Sequence, residues 1–329
     1  MFLASNRFIK GVLFIGSSKK VEALVFELSI GNPHYVVKGF VATDEKKAPT
    51  SLPEIQLSEL ESYVKEYAIS EIVVANGSRK TMDAPLYDLL LKLLENGVVI
   101  RQYDDVYESG TYRLPIHFDD KELYKFFPFS RSNQNKLYQL YTRVFDVVFA
   151  VCGLLGLVVI LPFVFLFNLI WNKGPLFYKQ ERVGRNGVPF NIVKLRTMVV
   201  NAEQNGAVFA TTNDSRITAF GKLLRKSRLD EVPQFINVLK GEMALIGPRP
   251  ERPVFVEKIA ASIPMYQTRH VIKPGLTGWA QVNYSYGENL EDSLMKLRYD
   301  LYYIKHRSLF LDINIIVKTL STVLFFRGQ

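Results

Sequence analysis

Between Val147 and Trp171 the chain carries no charged residue, and a run of that length and character ordinarily crosses a lipid bilayer as one helix. Pro162 interrupts it. A proline removes one backbone donor and crowds the preceding turn, so the sequence predicts a sharp bend at Leu161 and Pro162. The bend splits the run into a longer and a shorter arm, neither of which clearly spans. Lys136 and Arg143 precede the run, and Lys173, Lys179, Arg182 and Arg185 follow it. Positive charge beside an apolar segment holds that end on the cytosolic side, so both ends are expected there. A re-entrant helical hairpin over about 138–171 satisfies both pulls. The alternatives are a straight spanning helix with a mild kink and a buried core helix, the latter disfavoured by so long a run without charge.

The remaining length asks for more than one core. At 329 residues the chain exceeds a usual single domain and predicts two. Its formal charge of +9 points to an anionic partner, whether nucleic acid, an acidic lipid surface or a phosphorylated substrate. Cys152 is the sole cysteine and lies in the apolar run, which excludes a disulfide framework. His34, His117, His270 and His306 are scattered without metal-ligand spacing, which argues against zinc. Met1 to Lys10 lacks the pattern of a signal peptide, so the globular parts are expected in the cytosol.

The first part of the chain alternates short apolar runs with helical patterns. Strands are expected at 11–15, 35–43, 71–75 and 98–103, and helices at 21–30, 57–67 and 84–95. That rhythm predicts an α/β, Rossmann-like domain over residues 1–118. Gly16 at the first strand-to-helix turn and Asp44 after the second strand would suit a nucleotide. The second and third glycines of that fingerprint are missing, and a plain scaffold or regulatory domain is the stronger reading. A linker is expected at 119–135, and a mainly α membrane domain at 136–329. Its last stretch, from Ser308 to Phe326, is apolar apart from Asp312 and Lys318. That suits a helix lying in the membrane interface, or equally one packed on the domain's own core.

The densest candidate chemistry lies between Arg225 and Pro250, which reads RKSRLDEVPQFINVLKGEMALIGPRP. A helix is expected from Pro233 to a stop at Gly241, with Asp230 and Glu231 at or just before its positive end. Consecutive residues point in different directions, so the pair suits two jobs better than one shared proton. A carboxylate can attack phosphorus if Mg²⁺ and arginines offset the repulsion between the two anions. Arg225 and Arg228 stand upstream, and Arg249 is held between Pro248 and Pro250, a rigid presentation suited to phosphate oxygens. Taken alone, two helix-start acids paired with surface arginines would look similar.

Four segments then carry a resemblance: YKQERVGRNGVPFNIVKLRTM from Tyr178, DSRITAFGKLLRKSRLDEVPQFINVLKGEMALIGPRPE from Asp214, KPGLTGWAQVN from Lys273 and YDLYYIKHRSLFLDI from Tyr299. Together and in this order they resemble the monotopic polyprenol-phosphate phosphoglycosyltransferases, the bacterial sugar transferase family. The resemblance implies that Asp230 attacks the β-phosphate of a UDP-sugar, releases UMP and carries the phosphosugar until polyprenyl phosphate collects it. It implies Mg²⁺ beside Asp230, with Glu231 assisting metal binding or proton transfer. Arg225 and Arg249 match family arginines near the phosphates, and Lys194 and Arg196 match a KxR motif at the same anionic site.

Leu161 and Pro162 match the break in the family's re-entrant membrane helix, which brings the site to the lipid headgroup on the cytosolic face of the bacterial inner membrane. Three departures leave the acid pair intact: Leu161 stands where serine is frequent, Ser215 where proline is and Glu242 where aspartate is. The first domain resembles that of the larger members, in which four transmembrane helices precede it, and analogy with those members implies a homodimer. Two competing readings are a membrane-anchored nucleotide-sensing module and a nucleic-acid-binding protein using its charge and Tyr299, Tyr302 and Tyr303. The uncharged run argues against nucleic acid. The identity of the sugar is not legible.

Overall fold

Strand β1 (Lys10–Gly16) has the continuous apolar run of a strand covered on both faces, and its side chains divide accordingly. The computed structural model describes residues 9–19, 21–31, 33–44, 49–75, 84–116, 135–202, 214–284 and 289–324. The expected linker, 119–135, lies outside these residues except for Asn135. The chain divides into two compact units, Met1–Pro115 and Ile116–Gln329.

In the first unit β1 is followed by α1 (Val21–Gly31), β2 (Tyr35–Ala42), α2 (Leu60–Glu66), β3 (Ile69–Ala75), α3 (Ala84–Glu95), β4 (Val99–Gln102) and α4 (Tyr103–Thr111). The four strands pair in parallel in the order β2-β1-β3-β4. Leu13 and Ile15 meet Leu60, Ile72, Leu90 and Leu93 on one face. Val12 and Phe14 meet Val21, Leu28, Val106 and Tyr107 on the other. This alternation makes the sheet doubly wound, as the βαβ rhythm predicts. Helix α4 was not foreseen, although Asp104 and Asp105 in its first turn favour a helix start.

The second unit opens with α5 (Lys136–Trp171), a helix of 36 residues with Pro162 inside it. By length and composition it can cross a membrane. Its buried stripe is narrow. Ala150, Leu157 and Val164 recur every seventh residue, with Ala150 packed on Phe190, Val238 and Met243 and Val164 on Leu195, Phe220 and Leu224. The other faces expose Val148, Leu155, Val158, Val159, Phe163, Leu166 and Ile170, more apolar surface than a soluble helix presents. Two arms were expected, but the helix continues through Leu161 and Pro162. One lost backbone bond is tolerated where Leu161 and Val164 pack against the cluster below.

Beyond α5 come an antiparallel hairpin, β5 (Phe177–Val183) with β6 (Pro189–Leu195), then α6 (Ala219–Lys226), α7 (Phe235–Lys240), β7 (Ala244–Ile246), α8 (Pro253–Ser262), β8 (Gly275–Thr277), α9 (Trp279–Asn283), α10 (Leu290–His306) and α11 (Leu309–Leu324). Strands β7 and β8 pair in parallel through bare backbone. A Cβ on Gly275 would stand 2.1 Å from the Gly247 nitrogen, so only glycine allows the GPRP loop and the KPGLTG segment to meet. The last helix packs on the domain's own core along one face and leaves another apolar face exposed. Leu311 and Ile315 are buried, whereas Phe310, Ile313, Val317 and Leu320 form an exposed apolar stripe. Its charges turn inward: Asp312 is buried, and the Lys318 ammonium donates to Asn283 Oδ1 (2.6 Å) above the Trp279 ring.

Candidate active site

The acid pair sits in a 3₁₀ turn, Leu229–Gln234, between α6 and α7. The sequence placed the helix start at Pro233; the regular helix begins at Phe235 and ends at Gly241, whose φ of 82° closes it in the left-handed conformation. Arg228 reverses the chain ahead of the turn with φ 58° and ψ 13°, a left-handed geometry that a non-glycine residue adopts at a cost. Through this reversal Arg225, Arg228, Asp230 and Glu231 all line one cavity of 710 Å³.

The two acids have opposite surroundings. Glu231 Oε1 accepts from the Lys194 ammonium (3.1 Å) and from Arg249 Nη2 (2.7 Å), with Arg228 Nη1 4.0 Å from Oε2. Burial alone would raise its pKa, but Arg249, Lys194 and Arg228 outweigh it and hold the carboxyl well below its usual range. Asp230 is as buried as Glu231, yet among the described residues its carboxylate has no hydrogen bond or ion pair. Burial and the adjacent Glu231 charge push it up to about 6, against Lys194, Arg225 and Arg228. Asp230 therefore faces the cavity as a carboxyl whose pKa is raised and which makes no direct ion pair among the described residues.

The predicted cations divide in the same way. Lys194 and Arg249 meet on Glu231, and Arg225 lines the cavity with its Nε donating to Thr197 Oγ1 (2.9 Å). Arg196 is turned to another task. It donates to the carbonyls of Pro175 (2.6 Å), Met198 (2.8 Å) and Asn172 and to Asn172 Oδ1 (3.0 Å), tying the end of α5 to β6. Little of that guanidinium is left for a phosphate. Leu161 and Pro162 lie in α5 and do not line the cavity.

Sequence reasoning missed the parts that hold Arg249. Arg182 Nη1 donates to the Pro250 carbonyl (3.0 Å), and Arg269 Nη2 to the Arg249 carbonyl (3.0 Å). Arg269 is buried, also binding Asp300 Oδ2 (2.6 Å) and the Tyr266 hydroxyl (2.6 Å). A buried pair such as Arg269 and Asp300 is spelled in sequence like any surface charges. Its one visible signal is the absence of an acid within helical reach of Arg269.

Among the described residues ten basic side chains line the cavity against four acidic ones, an excess suited to a ligand with several phosphate charges. Mg²⁺ prefers one or two carboxylates completed by water and substrate phosphates. Asp230 fits that demand. Glu231 is already neutralised by protein cations, and among the described residues no three acidic, histidine or cysteine side chains cluster into a cage. The nucleotide candidate in the first unit looks different. Asp44 accepts hydrogen bonds from the hydroxyls of Ser17 and Ser18 (both 2.9 Å) and from the Ser18 amide (2.7 Å), so the protein's own carboxylate satisfies the turn after β1.

Residues 137–326 match the family described as bacterial sugar transferase. A UDP-N-acetylgalactosamine-undecaprenyl-phosphate N-acetylgalactosaminephosphotransferase of Aeromonas hydrophila is 49% identical over 153 residues, which are 46% of this chain and 36% of that protein. UDP-glucose:undecaprenyl-phosphate glucose-1-phosphate transferases of Xanthomonas campestris pv. campestris and Escherichia coli are 44% and 39% identical, over 54% and 55% of this chain. The matched segments make up 38% and 39% of those two proteins, so this chain spans well under half the length of all three relatives.

Proposed function

Because the chain belongs to the bacterial sugar transferase family, we propose that it transfers a sugar 1-phosphate from a UDP-sugar to a polyprenyl phosphate and releases UMP. The observation that carries this reading is the asymmetry of the acid pair, in which Glu231 is bound by Lys194 and Arg249 while Asp230, among the described residues, makes no ion pair and faces the arginine-lined cavity. The relatives named for N-acetylgalactosamine and glucose transfer to undecaprenyl phosphate support the reaction class. They name different sugars at similar identity, so they do not choose the donor.

The proposed route has two displacements at one phosphorus. An Asp230 carboxylate oxygen attacks the β-phosphorus of the donor, and the bond to the bridging oxygen breaks with its electron pair leaving on UMP. The phosphosugar is then held on Asp230 as an acyl phosphate. An oxygen of polyprenyl phosphate attacks the same phosphorus, and the bond to Asp230 breaks to restore the carboxylate. Arg249 and Arg225 are proposed to hold diphosphate oxygens, Arg249 by the donors not engaged with Glu231. Glu231 fixes the positions of Lys194 and Arg249 and keeps that side of the cavity from becoming more positive. Arg196 is the weakest member of the phosphate set. Mg²⁺ bound through Asp230 would offset the charge gathered on the diphosphate.

The membrane arrangement is part of the proposal: α5 enters from the cytosolic face of the inner membrane and returns to it, by a bend at Leu161 and Pro162 made within the continuous helix. The basic residues on both flanks and the wide apolar exposure of the helix support it. The test of the function is UMP release by purified protein given undecaprenyl phosphate, Mg²⁺ and a panel of UDP-sugars, with Asp230→Asn beside it. Release that requires Mg²⁺ and vanishes in the variant supports the proposal. Full activity of the variant, or no release with any donor from folded protein, overturns it.

A further inference from the structure

A second cavity, of 290 Å³, shares no lining residue with the one around Asp230. It opens where the charged first turns of α5 meet α11. Arg143, Arg185, Lys273 and Arg307 line it, against Asp146 and Asp312. Both carboxylates have partners: Asp146 accepts from the Leu245 amide (2.8 Å), and Asp312 from the hydroxyls of Tyr138 (2.6 Å) and Tyr303 (2.8 Å). Two of the cations are also engaged. Arg143 donates to the carbonyls of Val238 and Leu239 at the end of α7, and Arg307 lies over the rings of Tyr138 and Tyr303.

Lys273 and Arg185 differ from these. Among the described residues neither side chain has a hydrogen bond or an ion pair. Burial presses the Lys273 ammonium below its ordinary value, and Arg143 and Arg185 add to the effect while Asp146 opposes it. Cations that repel one another around a cavity are complementary to an anion. Other parts of the wall are apolar: α11 supplies Leu309, Ile313 and Ile316, of which Leu309 and Ile313 are largely exposed. The uncharged run of α5 begins at Val147, immediately after Asp146, so the cavity lies at the boundary between polar and hydrocarbon-like surface. At that boundary, a partly buried lysine and an exposed arginine beside exposed aliphatic side chains suit an anion that carries its own hydrocarbon.

We propose that this cavity binds the phosphate headgroup of an acidic membrane phospholipid, held by Lys273 and Arg185, with the acyl chains along the exposed apolar stripe of α11. The site is distinct from the proposed transferase centre, and its occupancy does not require that chemistry. It gives the domain a fixed depth in the bilayer through one bound lipid.

Native mass spectrometry of the detergent-purified full chain, titrated with phosphatidylglycerol, phosphatidylcholine or undecaprenyl phosphate, tests this directly. The expected result is one phosphatidylglycerol retained in preference to phosphatidylcholine. Arg185→Gln combined with Lys273→Gln should weaken that binding about thirtyfold, in line with the loss of two interfacial cations. Lys273→Arg should keep it, and Arg185→Glu, on an exposed turn, should weaken it without disturbing the thermal unfolding midpoint. Asp230→Asn should bind the lipid like the wild type even if the transferase reading fails. Equal retention of the two phospholipids, or undiminished binding by the charge variants, overturns the proposal. So does Lys273-dependent retention of undecaprenyl phosphate alone, which would make the cavity an acceptor site.

Discussion

Asp230 and Glu231 are neighbours in sequence with opposite electrostatic fates, and the difference comes from which one the cations reach. Lys194 from β6 and Arg249 from the GPRP loop both meet Glu231, leaving Asp230 to bear the cost of burial. Donor cleavage should therefore depend on the ionised fraction of Asp230. A raised carboxyl pKa means that the active form is lost as pH falls through about 6, so single-turnover UMP release should decline on that acidic limb. Glu231→Gln removes the adjacent charge that helps raise Asp230, so the limb should move to lower pH even as the rate drops. The same change leaves Lys194 and Arg249 less well compensated and should cost roughly 1–3 kcal/mol of stability in denaturant unfolding. The acid pair and Arg249 were legible in sequence because a proline-stiffened arginine and adjacent acids are unusual in local spelling. Arg269, Asp300 and Arg182 were not, because their pairing depends on chain reversals that no local pattern records.

At the scale of elements, strands covered on both faces were the easiest to read, since burial on two sides makes them nearly all apolar, as in β1 and β3. The hairpin β5–β6 is not legible because β5 runs through Lys179, Gln180, Glu181 and Arg182 without an apolar residue and is mostly exposed, so it lacks the alternation that marks a half-buried strand. Helix α5 is continuous through Pro162, with Leu161 and Val164 packed on the cluster below it, where local stereochemistry predicts two arms. The re-entrant course of α5 can be checked with cysteines placed at Lys136 and Lys173 in a Cys152→Ser background. Both should react with an impermeant thiol reagent only from the cytosolic side of oriented vesicles; labelling from opposite sides would establish a spanning helix. The contact between β7 and β8 gives a stability prediction of its own. Gly275→Ala sets a methyl group against the backbone of Gly247 and should cost about 1–3 kcal/mol, lowering the thermal midpoint.

Across the whole molecule, charge and hydropathy are distributed differently in the two units. The first unit buries both faces of its sheet, and Asp44 satisfies the donors of the turn after β1. Asp44→Ala should destabilise that unit by about 1–3 kcal/mol through unmet Ser17 and Ser18 donors, while UMP release stays within about twofold of wild type. The second unit turns the charges of α11 inward and its apolar stripe outward, and gathers basic side chains around the acid pair. The most direct test of the central claim is to incubate the protein with a cleaved UDP-sugar and Mg²⁺ in the absence of polyprenyl phosphate, then map any bound phosphosugar by mass spectrometry. The account predicts a burst of about one UMP per protein molecule and a phosphosugar adduct on the peptide containing Asp230, absent in Asp230→Asn. UMP release that occurs only with acceptor present, without an adduct at Asp230, would contradict it.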